Sequence, residues 1–390
     1  MPSDLILYSK SHAEIAWRCQ REEYLAYLWG GTGIRTMEAQ FELEFGSIIH
    51  ESAHTIIDLL KTPIAGYSAS KAARGLIEAK APAFKWDATE AKQWGSIAAG
   101  LVHAYHTRIL PGLLTEFEIV DVEVPMVYPI DPATGLWFVA KPDLILKRRQ
   151  GGGLWYVEHK TTSKIDAAWL NSWTTAVQIH SGLMAAQRKY HQTFDGCIVL
   201  GWFKGTKDYY ASSKDNKQIQ NSPFAWGWVS RGAPGVFEDR YLAKRPDKWK
   251  GWEKFPTWTY GVEKWVDEQM SADVVLSQFA RTPPITVRVD LVERYFNQLR
   301  FAAKRIVRAK QQLATATCVQ DIDNTLDEFF PQSFSQCSPT WGRGKCWARD
   351  FCWQSWVQAD PLASGLYVRN SGEHRAEFEK LIEADHAESR

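Results

Sequence analysis

Between residues 116 and 204 the hydrophobic period of the chain changes, and that change limits the fold more than any other feature. Phe117–Val127, Leu136–Leu146 and Leu154–Thr161 are short runs rich in β-branched and aromatic residues. Turn signals separate them, first Asp131-Pro132-Ala133-Thr134-Gly135 and then Gly151-Gly152-Gly153. Helical spacing follows over about 166–190, and a last apolar run, Gly196–Phe203, reads as a returning strand. A meander, a helix and a returning strand require a mixed sheet with helices packed on it, an α/β fold.

The flanks are helical. Ser9–Leu28 carries Ile15, Cys19 and the Tyr24/Leu25/Leu28 group at helical spacing, and a second helix starts near Phe45-Gly46. Further helical text covers 67–80 and 88–113, so the first third is expected to be all-helical, and helices return over 261–280 and 290–316. A turn-rich segment with cysteines occupies 330–355, before a short polar terminal helix. The expected organisation is an N-terminal helical region (1–115), a core (116–204), a Trp/Lys-rich insertion (205–285) and a C-terminal closure (286–390).

Composition narrows the function classes. The 390 residues carry 46 basic and 45 acidic side chains, a net charge of +1, so no global field draws in nucleic acid or an anionic membrane. With 45% hydrophobic and 23% charged residues the chain is neither disordered nor collagenous. No apolar run approaches the roughly 18 residues of a membrane span. Met1-Pro2-Ser3-Asp4 lacks a basic n-region, so no secretory signal is expected and the cytoplasm of a prokaryotic or phage-infected cell is. Three of the six cysteines crowd into Cys337–Cys352, which points to a reducing compartment and a metal rather than disulfides.

The chemistry concentrates on two neighbouring runs. Lys141-Pro142-Asp143 lies within FVAKPDLIL, read as one strand, and Glu158-His159-Lys160 lies within WYVEHKTT. The glycine turn at 151–153 suits a hairpin, which sets Glu158 and Lys160 on one face within reach of Asp143. Two carboxylates and a backbone carbonyl form an oxygen-lined pocket for Mg²⁺ or Mn²⁺, and a lysine beside them orients an attacking water. An exposed cross-strand ion pair is the plainer alternative. Both runs are apolar around these residues, however, and unpaired buried charge is costly.

Pro142-Asp143 followed by Glu158-x-Lys160 resembles the signature of the PD-(D/E)xK nuclease superfamily. Gly46-x-x-x-His50 on an upstream helix and Gln178 on a following one narrow the resemblance to the RecB-like exonuclease branch, which includes AddB-type helicase–nucleases and CRISPR-adaptation nucleases. The resemblance implies a restriction-endonuclease-like mixed sheet. It implies His50, Asp143 and Glu158 as metal ligands, with the His159 carbonyl adding an oxygen. It also gives Lys160 to the attacking water and Gln178 to positioning Lys160 or the DNA. Where the family helix reads Gln-x-x-x-Tyr, this chain has Gly182. The implied activity is metal-dependent exonucleolytic hydrolysis of DNA, favouring single strands and leaving 5′-phosphate and 3′-hydroxyl ends. A helicase, recombinase or CRISPR-adaptation partner is the implied company, and a subunit active only beside such a partner is one alternative. A non-catalytic DNA-binding scaffold is another.

Cys337, Cys346 and Cys352 form a Cys-x8-Cys-x5-Cys arrangement, and Cys19 lies in the first helix. Three clustered thiols want a fourth soft ligand. Several RecB-like nucleases hold a [4Fe–4S] cluster with one N-terminal and three C-terminal cysteines, and the resemblance implies that closure here. Generic spacing also admits structural zinc, and three buried free thiols would need no metal. His50-Glu51-Ser52-Ala53-His54 is separately a literal H-E-x-x-H, the zinc metalloprotease pattern. That reading leaves Asp143, Glu158, Lys160 and the cysteines without a role. For the nucleic acid, Lys248, Trp249, Lys250 and Trp252 alternate cations with ring faces, and Lys204 and Lys207 follow the last core strand.

Overall fold

The computed structural model describes residues 5–37, 41–86, 88–204, 207–211, 218–221, 262–268, 272–333, 337, 346–348, 352, 361–371 and 373–388. In chain order the N-terminal elements are β1 (Ile6–Tyr8), α1 (Lys10–Arg18), α2 (Gln20–Glu23), β2 (Ile34–Thr36), α3 (Phe41–Lys61), α4 (Ala69–Lys80), α5 (Ala88–Ala104) and α6 (Leu110–Glu116). The central block follows as β3 (Phe117–Val122), β4 (Met126–Asp131), β5 (Leu136–Ala140), β6 (Leu144–Arg148), β7 (Leu154–Thr162), α7 (Ala167–Ser172), α8 (Val177–Tyr190) and β8 (Phe194–Phe203). Beyond it come β9 (Lys207–Ala211), β10 (Gln218–Asn221), α9 (Val262–Glu268), α10 (Ala272–Leu276), β11 (Phe279–Arg281), α11 (Val289–Thr315), α12 (Val319–Phe329), β12 (Tyr367–Arg369) and α13 (Glu373–Glu388).

The central sheet has five strands in the order β11-β8-β7-β6-β3. β7 and β8 run parallel, joined by a crossover through α8, and the other pairs are antiparallel. This is the mixed sheet between helices that the period change requires. Alternation along β7 assigns its two faces. Trp155 and Val157 join Trp202 in a core closed by Phe45 and Ile49 of α3 and Ile97 and Leu101 of α5. Tyr156 joins Val199 in a second core closed by Ile179 and Leu183 of α8 and Phe296 and Leu299 of α11.

Several sequence expectations need correction. Leu136–Leu146 is two strands. β5 pairs with β1 and β4 in a separate three-stranded sheet, while β6 enters the central one. The break falls at Lys141-Pro142-Asp143, because proline has no N–H for a ladder and constrains the residue before it. Phe117–Val127 is likewise divided, at Glu123, which sits at φ +45°. The first third is not all-helical: β1 adds in parallel to β5, and β2 pairs with β12. The helix over 166–190 is interrupted at Trp173–Thr175, and the one over 261–280 is two short helices and an edge strand, β11.

The ends of the chain are tied together by buried charge. Glu23 is fully buried and accepts from Tyr8 Oη (2.5 Å) and from the Arg305 guanidinium on α11. His12 Nε2 lies 3.2 Å from the same carboxylate, its ring stacked between Tyr8 and Tyr27. Arg21 donates to the Phe330 carbonyl (2.7 Å) and to Asp327 (2.5 Å) at the end of α12. Removing one partner of such a group strands the other in low dielectric, at about 3–5 kcal/mol. Glu23→Ala should therefore lower the unfolding free energy by about 3–5 kcal/mol in urea titrations, with Glu23→Gln less damaging. A loss below about 1 kcal/mol would show that this network does not hold the ends.

Candidate active site

The hairpin of β6 and β7 sets the site. Leu144 pairs with Val157, so the next positions outward are Asp143 and Glu158, where β6 has ended and β7 continues. At that step the His159 backbone N–H donates to Asp143 Oδ2 (2.5 Å). In a strand the N–H and C=O of one residue face the same neighbour, so the His159 carbonyl also faces the side β6 has vacated. The break at Pro142 thus has a chemical consequence: with no β6 backbone opposite it, the His159 N–H is left for the Asp143 carboxylate.

Each sequence-predicted residue can now be placed. His50 on α3 directs Nδ1 to Asp143 Oδ1 (3.0 Å), with the imidazole N–H as donor. Glu158 is 4% exposed and both its oxygens are engaged. Oε1 accepts from Tyr156 Oη (2.7 Å); Oε2 accepts from Lys160 Nζ (2.5 Å) and from Gln178 Nε2 (3.3 Å). Asp143 with His50, and Glu158 with Lys160 and Gln178, are therefore two hydrogen-bonded groups at neighbouring positions, drawn from α3, the start of β6, β7 and α8 and linked by the charge of Lys160, which feels both acids. The His159 ring is 2% exposed and packs on Tyr105 and Trp202.

Electrostatics follow from burial and pairing. Burial alone would raise the Asp143 carboxyl, but the charge and hydrogen bond of His50 outweigh it and hold the acid below the ordinary carboxylate range. Burial lowers His50, yet Asp143 reverses the sign and leaves the imidazole raised. Lys160 is pulled down by burial and pushed up further by Glu158 and Asp143, so its ammonium stays charged at neutral pH. A charged Lys160 donates; it is not a general base. Burial drives His159 down to about 4, which makes it a neutral packing ring.

Beside His50 lies a cleft of about 640 Å³ lined by Glu42, Gly46, Glu51, His54, Glu123 and Lys204, among others. Gly46 is where α3 passes the end of β7: a Cβ there would stand 3.2 Å from Thr161 Oγ1. Lys204, just past β8, is largely buried, with Nζ over the Phe41 and Phe45 rings and 3.4 Å from the Glu42 carbonyl. His54 does not share Asp143 with His50. It stands 3.4 Å from Asp58 and 3.5 Å from Glu123, and Glu51 is exposed. Lys207 opens β9, while Lys248, Trp249, Lys250 and Trp252 lie outside the described residues.

Cys19, Cys337 and Cys352 are buried and Cys346 is half-buried. Cys19 occupies an extended kink between α1 and α2, where the expected long helix breaks. The thiols share one neighbourhood although more than three hundred residues separate the first from the rest. Burial, and then the charges of nearby Glu22, Cys19 and Cys337, push Cys346 up to about 11. Cys352 rises to about 12 through burial and the charges of the other three thiols, against the opposing pull of Arg21. Among the described residues, no three His, Cys, Asp or Glu side chains are gathered in ligating geometry around one point. Among the described residues, too, no helix is long and apolar enough to cross a membrane.

Two participants were not singled out from the sequence. Glu123 faces the cleft from the bend between β3 and β4, 3.5 Å from Lys141 and from His54. Tyr156 supplies the phenol that holds Glu158, and it explains Gly182. A Cβ at 182 would fall 2.5 Å from Tyr156 Oη, so the glycine makes room for the ring. Period two places Tyr156 on the face of Glu158 and Lys160, which was the available signal. No protein-family model matches this chain, and no curated protein matches it.

Gly182→Ala should cost about 1–3 kcal/mol by overpacking, and Tyr156→Phe about 1.5–3 kcal/mol through the lost bond to a carboxylate. The double variant should cost less than their sum by at least about 0.5 kcal/mol in urea unfolding, because the shortened ring relieves part of the clash. Strict additivity would contradict the pairing of these two residues.

Proposed function

We propose that this protein is a metal-dependent deoxyribonuclease of the restriction-endonuclease-like type, hydrolysing phosphodiester bonds in DNA. The observation that carries the reading is the convergence of Asp143, Glu158 and a charged Lys160 where β6 ends and β7 continues, with His50 bonded to Asp143. A cross-strand ion pair alone does not call for a second acid held by a backbone N–H and a histidine, nor for a tyrosine and a glutamine on the first.

The donor set fits Mg²⁺ or Mn²⁺. Carboxylates of Asp143 and Glu158 and the His159 carbonyl are hard oxygen donors, and His50 adds a nitrogen. Gln178 Oε1 is buried without a partner while its Nε2 serves Glu158, which leaves an unused acceptor on the same amide. A divalent cation bound there would supply positive charge that favours hydroxide over water and offsets the charge developing on phosphate. The protein's own groups do the rest. The Lys160 ammonium donates toward the attacking oxygen and the phosphoryl oxygens. Tyr156 and Gln178 fix the Glu158 carboxylate, and the His159 N–H fixes that of Asp143.

The four cysteines are proposed to hold a [4Fe–4S] cluster that clasps α1 and α2 to the C-terminal segment, with zinc as the alternative occupant. Four mostly buried thiols suit a thiophilic metal, which binds them as thiolates and releases protons.

End-labelled single-stranded DNA tests the activity. Wild type should cut it in Mg²⁺ or Mn²⁺ and not in EDTA, and Lys160→Ala should be slower by about 10²–10³-fold, the cost of removing one electrostatic donor. Intact protein that never cuts would shift the reading to a subunit dependent on a partner. For the cysteines, protein purified without oxygen should carry about four irons and broad visible absorbance, both lost in Cys19→Ser. Full zinc occupancy with no iron would replace the cluster by a zinc site.

A further inference from the structure

The wall of the site opposite α3 comes from α1 and α7, and none of its side chains holds Asp143 or Glu158. Lys10, the first residue of α1, places Nζ 5.8 Å from the centre of the Trp173 ring. Trp173 meets Trp169 edge to face, with 5.6 Å between centroids. The Trp169 ring lies on bare backbone at Gly201, where a Cβ would fall 2.4 Å from Cη2. Gly201 is the register partner of Lys160. Paired residues in neighbouring strands project from the same face, so the Trp169 indole is the lateral neighbour of the Lys160 side chain. Lys10 lies close enough to feel the charges of both Lys160 and Glu158.

This wall is built to receive something. Both indoles keep part of their surface in solvent, and Trp173 Nε1 is a buried donor without an acceptor. The counter-ion of Lys10 is Glu14 at 3.6 Å, one helical turn away; Glu14 is exposed and Lys10 half-buried, an i,i+4 pair of the kind worth little. The opposite wall differs in character: Glu42, Glu51 and Glu123 line that cleft together with Lys204, a lining suited to a cation rather than to a base.

We infer that Lys10, Trp169 and Trp173 form a nucleotide subsite beside the scissile phosphate, in which an indole face stacks a base and Lys10 takes the adjoining phosphate. The ligand class is single-stranded nucleic acid, because a base inside a duplex has no free face to give an indole. The inference rests on the hydrolase reading for its position and on the aromatic wall for its chemistry.

Binding and cleavage separate the two. In the slow-cutting Lys160→Ala background with Mg²⁺, anisotropy of a labelled oligo-dT, read before cleavage is appreciable, gives affinity. Trp173→Ala should weaken it about 5–100-fold, the worth of one base stack, and Trp173→Phe should restore most of the loss. An oligonucleotide abasic across the bound stretch should bind the parent about as weakly as Trp173→Ala binds the intact one. Lys10→Ala, which shortens a half-buried side chain at the first position of α1, should reduce the slope of log affinity against log salt by about one phosphate contact. In the active enzyme the same substitutions should raise KM for single-stranded DNA. Wild type that cuts while all these variants retain its affinity and KM overturns the subsite alone. A parent that binds oligo-dT through Trp173, in a protein that never cuts, supports the subsite and overturns the hydrolase. No binding and no cutting overturns both.

Discussion

The hydrogen bond from the His159 backbone to Asp143 is the constraint on which the site depends. It forms because β6 stops one residue before the position at which Asp143 would have entered the ladder, and β6 stops because Pro142 cannot donate. The Asp143 carboxylate takes the His159 N–H that the ladder leaves unpaired and holds His50 of α3 at its other oxygen. From there pairing is forced by dielectric. Two acids and a lysine in a largely covered corner each find partners, and Lys160, Gln178 and Tyr156 supply those of Glu158.

The cores on either side of the sheet serve this arrangement. One face of β7 is closed by α3 and α5, and this packing brings His50 to the edge of the sheet. The other is closed by α8 and α11, and α8 carries Gln178 and the gap at Gly182 into which the Tyr156 phenol fits. A helix with tyrosine at 182 could not lie where α8 lies without displacing Tyr156. The phenol that contacts the acid therefore comes from the strand, and the helix provides the space.

The α/β character, the β6–β7 hairpin and the approach of Glu158 and Lys160 to Asp143 were legible from period, turn residues and spacing, whereas His50 and Gln178 were expected there only through the resemblance to a nuclease family. The division of Leu136–Leu146 between two sheets was not, because the apolar alternation continues through Lys141-Pro142-Asp143 and only proline marks the exit. β1 and β2 escaped because three-residue strands beside strong helical text leave no periodic trace. Glu123 was invisible because its role comes from a bend at positive φ rather than from a neighbouring motif. Lys10, Trp169 and Trp173 were hidden for a different reason. They reach Lys160 only through the register of β7 on β8 and the bare backbone of Gly201, which are tertiary facts.

The most direct test of the central claim is cleavage of labelled single-stranded DNA in ¹⁸O-enriched water with Mg²⁺. Water attack on phosphorus at the Asp143–Glu158–Lys160 site predicts one ¹⁸O in each newly formed 5′-phosphate, in wild type and not in Asp143→Asn. Cleavage that survives Asp143→Asn, or ends that carry no solvent oxygen, would contradict it.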